Sequence, residues 1–303
     1  MNEQPLVSIL VITYNSSKYV LETLESAKKQ TYRNIELIVS DDGSKDSTVS
    51  ICKEWINENI KYFKRCCIDH GEINRGIPAN CNKGIRQCYG EWVKLIAGDD
   101  ILAPTCIEDL VNAISEEKDI IVGQIQAFYI HNGNVKKAQL ISSNRIPFYK
   151  RTAERQHKIL LINSFNFSPG AFVRRKLYDR IGLYDEKYPM IEDLPFWLKA
   201  TKSGVKIYFC DHVVVYYRTH HESCVFTNKG FFNTRFYNCL MRLHKDMYKE
   251  VPFYYVAFYC REFLFRITYF LIVNLFHNKN NKYTRFISKI ILLPEHFFKV
   301  SNC

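Results

Sequence analysis

The chain has 303 residues, 47% hydrophobic and 24% charged, with no Gly-, Ser- or Pro-rich tract and no repeat, which excludes disordered, collagen-like and solenoid proteins and leaves one sizeable core plus an extension. Eleven cysteines, an odd number with no CxxC spacing, give neither a disulfide framework nor zinc-ligand spacing, and they suggest a reducing compartment. The formal net charge of +11 is uneven: residues 225–303 hold 12 Lys+Arg against 4 Asp+Glu and 20 of the 44 aromatic residues, so a domain boundary is expected between 224 and 225.

In chain order, Leu6 to Ile12 is a β-branched apolar run of strand length that ends at Thr13-Tyr14-Asn15-Ser16. Val20, Leu21, Leu24 and Ala27 then recur at helical spacing, and a second apolar run, Ile35 to Val39, ends in Asp41-Asp42-Gly43-Ser44. A helix at about 46–58, a strand at about 61–68, a helix at about 77–88 and a strand from Trp92 to Ala97 follow. Such alternation predicts parallel βαβ units with right-handed crossovers, hence an α/β sheet. Beyond Asp100 the pattern loosens into a helix near 104–116, a strand near 119–130 and a hairpin signal at His131-Asn132-Gly133-Asn134. A helix near 152–163, a short Ser168-Pro169-Gly170-Ala171-Phe172 segment, a helix at about 191–202 and strands near 205–210 and 213–218 complete this part.

Ligands of open parallel sheets bind outside the carboxyl ends of the strands, and those ends carry three polar clusters: Thr13-Tyr14-Asn15, Asp41-Asp42 and Gly98-Asp99-Asp100. Tyr14 can stack on a base, and Asp41 can accept hydrogen bonds from a base or a ribose. The competing explanation is ordinary turn chemistry. Asp99 and Asp100 after a buried strand repel each other, an arrangement that a hard cation such as Mg²⁺ or Mn²⁺ relieves, with helix capping as the alternative. Glu192-Asp193 opens a helix, where two acids also complement the macrodipole. Tyr217-Arg218-Thr219-His220 ends a strand with groups suited to a diphosphate or a metal, or simply meets solvent there.

Taken together these residues resemble a family. Ser8-Ile-Leu-Val-Ile-Thr-Tyr-Asn15, Ile38-Val-Ser-Asp-Asp-Gly-Ser-Lys-Asp-Ser-Thr48, Asn74-Arg-Gly-Ile-Pro-Ala-Asn-Cys-Asn-Lys-Gly84, Gly90-Glu-Trp-Val-Lys-Leu-Ile-Ala-Gly-Asp-Asp-Ile-Leu102, Glu192-Asp193 and Tyr217-Arg-Thr-His220 occur in the order and spacing of family-2 inverting glycosyltransferases with the GT-A fold, over about residues 1–223. The resemblance implies a GT-A α/β fold, a Rossmann-like mixed sheet flanked by helices, as the catalytic domain of residues 1–224. It implies transfer of a sugar from a nucleotide-sugar donor, a UDP-sugar, to a saccharide or lipid-linked saccharide in surface polysaccharide synthesis. Thr13, Tyr14, Asn15, Asp41 and Asp42 would hold the nucleotide, Asp99 a Mn²⁺ or Mg²⁺ ion, with Asp100 either compensating for the missing acid or only capping the following segment, and Asp193 would be the catalytic base. Glu192, Arg218 and His220 would face the acceptor or the diphosphate. Two positions depart from the common pattern: Cys81 stands where Arg is usual, and Ala97 replaces the first acid of the DxD motif. These departures motivate an alternative, a degenerate relative that binds a sugar nucleotide or a partner without turnover.

No secretory signal pattern is visible at the start, and the expected location is the cytoplasm, peripheral at the inner face of a membrane. Residues 225–303 are expected to be a helical, basic, aromatic-rich extension. In Val251 to Phe276 the charges Arg261, Glu262 and Arg266 leave uncharged runs shorter than the ~20 residues a spanning helix needs. Lys282, Arg285 and Lys289 share one helical face and Phe286, Ile287, Ile290 and Leu293 another, the pattern of an interfacial membrane helix, with burial in a homo-oligomer as the alternative. No nucleic-acid-binding motif accompanies the charge.

Overall fold

The structure, a computed structural model, describes residues 4–131, 134–141, 145–162, 165, 167–219, 230–253 and 255–292. Two compact units emerge, Met1–Leu160 with Ser164–Thr219, and Leu161–Asn163 with His220–Cys303.

The first unit opens with β1 (Val7–Thr13), α1 (Val20–Lys28), β2 (Ile35–Asp41), α2 (Thr48–Asn59), β3 (Cys66–His70), α3 (Ile77–Ile85) and β4 (Trp92–Ala97). β1 and β2 are buried along almost their whole length, as expected of strands covered on both faces of a parallel sheet, which is why they read as continuous apolar runs. α1 turns Val20, Leu24 and Ala27, spaced four and three apart, toward the core. There follow β5 (Ile101–Leu102), α4 (Cys106–Asn112), β6 (Ile120–His131), β7 (Asn134–Leu140), α5 (Ile146–Tyr149), α6 (Ala153–Ile162), β8 (Ala171–Arg174), α7 (Arg175–Ile181), α8 (Asp193–Lys202) and β9 (Ile207–Arg218).

One mixed sheet results, in the order β3-β2-β1-β4-β8-β6-β9-β5, with β7 paired to β6. β1 to β4 are parallel, β8 lies antiparallel between β4 and β6, and β6 and β9 are parallel to each other. Trp92 on β4 stacks on Phe172 of β8 with ring centroids 4.8 Å apart, closing the core where the sheet changes direction. This is the expected α/β mixed sheet flanked by helices. α4 ends at Asn112 rather than near 116, α5 and α7 are not among the expected elements, and two strand boundaries differ from expectation. Ile60–Tyr62 continues α2 as a 3-10 turn, so β3 starts only at Cys66 and runs on to His70. β9 is one strand rather than two, because register shifts against β6 between Gly123 and Ile125 carry it past Asp211-His212.

The second unit contains α9 (Thr234–Met247), α10 (Val256–Phe270), a π-helical continuation (Leu271–Leu275) and α11 (Lys282–Leu292). Its core holds Phe232, Tyr269 and Ile272. Asn278, at a left-handed φ of 54°, stitches the entry segment in place, its carbonyl accepting from Phe231 N at 2.8 Å and its side chain pairing both ways with the Phe232 backbone at 2.9 Å. No helix among the described residues is long and apolar enough to cross a membrane.

Candidate active site

The parallel register puts Thr13, Asp41 and His70 side by side at the carboxyl ends of β1, β2 and β3. Asp41 is fully buried and collects donors from both neighbours. Thr13 Oγ1 donates to it at 2.7 Å, the Ser44 backbone N–H at 2.8 Å and the Ser44 hydroxyl at 2.5 Å, and His70 Nδ1 lies 2.9 Å away. Burial pushes this carboxyl up, but the bonds from Ser44, Thr13 and His70 outweigh it and hold the group below the usual carboxylate range. Four partners fill the lone-pair sites of one carboxylate. His70 is thus a member of this edge that the sequence reading missed, because the expected strand ended two residues before it.

Asn15 adopts φ 50° and ties two loops together, its N–H donating to Ser44 Oγ at 2.7 Å and its Oδ1 accepting from Lys45 N at 2.9 Å. Tyr14 beside it is 46% exposed, leaving a ring face that a base can stack on. Asp42 points away from solvent, and its two oxygens accept from Arg75 N and Gly76 N, each at 2.9 Å. It therefore latches the loop that enters α3. Gly76 has φ 98°, and a Cβ there would stand 2.5 Å from Pro189 O, so only glycine permits this approach.

The approach matters because Pro189 leads to the second acidic pair. Ile77 N donates to Pro189 O at 2.9 Å, and Asn82 pairs with the Tyr184 backbone in both directions at 2.9 Å. α3 thereby holds the segment that delivers Glu192 and Asp193 to the start of α8. Leu194, Phe196, Trp197 and Ala200 bury that helix, and Trp197 lies in the core, not on a surface that a sugar could touch. Asp193 Oδ1 accepts from its neighbour Leu194 N at 2.7 Å. Burial first and the Glu192 charge second push its pKa up to about 7. Burial also raises Glu192, against a hydrogen bond from Ser168. Cys81, fully buried on α3, feels the charges of both Glu192 and Asp42, and burial keeps it a neutral thiol. No cation therefore stands at that position to pull the acidic pair down.

The third cluster is held from behind. β5 pairs antiparallel with β9, Ile101 opposite Tyr216, and this brings Arg218 to the turn after β4. Asp100 is 1% exposed: its Oδ1 accepts from Arg218 N at 2.8 Å, and its carbonyl from Thr23 Oγ1 at 2.7 Å. Burial and the Asp99 charge raise its carboxyl well above the usual range. The Arg218 guanidinium lies between the rings of Tyr19 and Phe128, 4.5 and 4.7 Å from their centroids, donating to Asp99 O at 2.8 Å and Glu22 Oε2 at 2.9 Å. Lys94, fully buried within β4 and lowered to about 8 by burial, donates to Pro169 O at 2.6 Å and so steadies the Ser168–Gly170 turn next to Glu192. A lysine inside an apolar strand run was the signal for it.

The structure thus brings Thr13, Asn15, Asp41 and Asp42 into one network, Asp99, Asp100 and Arg218 into another, and Glu192 with Asp193 into a third joined to the first through α3. Arg218, expected beside the acceptor or diphosphate, is buried behind the turn, and Asp100, expected either to ligate metal or to cap the following segment, faces inward. His220 lies outside the described residues. A divalent cation takes about six oxygens; among the described residues no three His, Cys, Asp or Glu side chains group to cage one. Asp99, half-buried at the end of β4, remains as a carboxylate at the rim. That fits an ion whose other positions are filled by phosphate oxygens.

Residues 8–182 match the model of glycosyl transferase family 2, and the chain belongs to that family. It is 30% identical over 226 residues to an uncharacterized glycosyltransferase of Rickettsia typhi, covering 71% of this chain and 64% of that protein, so the chain spans less than two thirds of that relative. Among solved structures, S. aureus TarS 1-349 in complex with UDP-GlcNAc superposes with a TM-score of 0.59 at 24% identity, covering 94% of this chain and 79% of that one. The mannosyltransferase PcManGT of Pyrobaculum calidifontis, in complex with GDP-Man and Mn²⁺, gives 0.52 at 19% identity, covering 74% and 59%. At these identities the two structures establish the fold, which is GT-A.

Proposed function

We propose that the chain transfers a hexosyl or hexosaminyl group, with inversion, from a UDP-sugar to a saccharide or lipid-linked saccharide, in the synthesis of a bacterial surface polysaccharide. The observation that carries this reading is Asp193, a carboxyl pushed up to about 7 at the start of α8 and tied through Pro189, Gly76 and Asp42 to the strand edge that carries Asp41. Such a group accepts a proton near neutrality. UDP-GlcNAc in TarS and GDP-Man in PcManGT support a nucleotide-sugar donor.

Tyr14 stacks on the base, and the loops bearing Asn15 and Ser44 line the nucleotide. Asp41 holds Thr13 and His70 for that task, and Asp42 fixes the loop between donor and acceptor sides. Asp193 takes the proton of the acceptor hydroxyl, and Glu192 hydrogen-bonds the acceptor. Asp99 with phosphate oxygens would hold Mn²⁺ or Mg²⁺, which when bound supplies positive charge to the departing diphosphate. Arg218 and Asp100 keep the Asp99 turn in place. Residues 1–224 act as the catalytic domain, and 225–303 as a peripheral contact with the inner face of a membrane.

A screen of sugar nucleotides for thermal stabilisation tests the donor class, since a ligand at 100 times its Kd adds ~2.7 kcal/mol. A shift confined to UDP-sugars supports the reading, and no shift with any nucleotide sugar overturns it. Ala97 and Cys81 favour the second reading, binding without turnover. Donor hydrolysis by the purified protein with manganese rules that out.

A further inference from the structure

Around its apolar core the helical unit buries several polar side chains while it turns large apolar ones outward. α10 buries Glu262, 4% exposed, with Oε2 2.7 Å from His244 Nδ1, and it buries Thr268 completely. The same helix turns outward Val256, Phe263 and Phe270, which are 58 to 63% exposed. Their seven-residue spacing sets them on one line. α11 repeats the pattern. Thr284 is fully buried and donates to Lys279 O at 2.8 Å, while Tyr283, Phe286 and Ile290 are 55 to 63% exposed. Alongside that row, at the same three- and four-residue intervals, run Lys282, Arg285 and Lys289, all exposed, and α11 contains no acidic residue.

A helix that hides its threonine and shows its aromatic rings needs a cover, and the basic row gives the charge of that cover. We propose that α11 lies flat on an anionic lipid membrane, with Tyr283, Phe286 and Ile290 at the boundary of headgroups and acyl chains and Lys282, Arg285 and Lys289 on lipid phosphates. Eleven residues of helix extend only about 16 Å, too short to cross a core of about 30 Å. A second copy of the chain is a poorer cover, because a two-fold contact through this face sets three cations against three cations. The inference deepens the proposed peripheral role and rests on that reading.

The test is co-sedimentation of the full-length protein with vesicles of phosphatidylcholine, with and without phosphatidylglycerol, at low and raised salt. The wild type binds only the anionic vesicles, and salt weakens the binding. Changing Lys282, Arg285 and Lys289 together to Gln weakens it by roughly a hundredfold. The double variant Phe286→Ala with Ile290→Ala weakens it by roughly tenfold. Tyr89→Ser, an exposed ring of the other unit, leaves it unchanged. Three results overturn the inference: a wild type that ignores anionic vesicles at low salt, helix variants that bind like the wild type, or a solution oligomer that the Phe286/Ile290 variant dissociates. Transfer to a soluble acceptor is assayed in parallel without vesicles. Transfer without vesicle binding sinks this inference together with the peripheral role and leaves the enzymatic reading standing, and vesicle binding without transfer sinks only the enzymatic reading.

Discussion

Asp41 at the end of β2 and Asp193 at the start of α8 are both carboxylates that burial pushes up, yet they end on opposite sides of the usual range. Asp41 has four partners, three of them from β1, β3 and the Ser44 hydroxyl. Asp193 has two backbone N–H donors, its own and that of Leu194, and a second acid as its neighbour. The difference teaches that burial alone assigns no role; the count of donors does. A carboxylate saturated by its own protein stays ionised and holds other groups still, whereas one left short of donors has affinity for a proton to spare. The binding edge and the proposed base are built by the same force with different partners.

The largest break in that contrast comes from Asp193→Asn, which removes the base and keeps an oxygen for Leu194. Transfer falls by roughly 10²- to 10⁴-fold, while donor affinity stays near that of the wild type, as calorimetry with the nucleoside diphosphate will show. Transfer within tenfold of wild type takes Asp193 out of the role. In the unmodified enzyme, kcat/KM rises with unit slope as pH rises toward about 7 and then levels, since the base must be ionised. A profile flat across neutrality contradicts the raised carboxyl.

Next in size is the pair at the β4 turn. Asp99→Ala weakens manganese-dependent binding of the nucleoside diphosphate by at least roughly tenfold, because its carboxylate is the one at the rim. Asp100→Asn, which keeps the oxygen that accepts from Arg218 N, leaves binding within about threefold. Equal losses would make both acids ligands and undo the inward assignment of Asp100. Smaller again is Asp42→Ala. It strands the N–H groups of Arg75 and Gly76, at a cost of ~1 to 3 kcal/mol shared between stability and loop order, and it should raise the donor KM more than it lowers kcat.

Much of the fold is legible in the sequence, since the buried parallel strands are β-branched runs with polar ends that only one architecture collects on one edge. The expected first edge of β3 fails because a 3-10 turn at Ile60–Tyr62 is as apolar as a strand, and the break in β9 fails because a bulge cannot be told from a turn at Asp211-His212. The motif order points to the acids of the site. Their partners escape it. Glu22 and Arg218 are 196 residues apart, and Asn82 and Tyr184 are 102 apart, so nothing local marks Arg218 as a brace or Asn82 as a latch. The outward apolar rows of α10 and α11 are periodic in sequence, but which side faces the core is decided by packing that the pattern does not contain.

The smallest expected effect reads the contrast through stability. A carboxyl whose folded pKa is about 7 binds a proton in the native state at pH values where the unfolded chain, near 3.8, has already lost it. Stability therefore falls as pH rises through the window from about 4 to about 7, and the full penalty is present above it. Asn at position 193 bears no such penalty, and it also removes the like charge beside Glu192. A shift of about three units sets a ceiling of ~4 kcal/mol, and relaxation around a half-buried site brings the expected gain to ~1 to 2 kcal/mol. At about 2 to 4 °C per kcal/mol for a unit of this size, Asp193→Asn should melt about 2 to 8 °C above the wild type at pH 8 and level with it at pH 4. Asp41→Asn should behave in the opposite sense, since its lowered pKa contributes stability above about pH 4 that is lost as pH falls through its folded value. It should melt below the wild type at pH 8 and approach it in acid. Two curves of the same sign would mean that the donor count does not separate these carboxylates, and the assignment of Asp193 as the proton acceptor would lose its electrostatic basis.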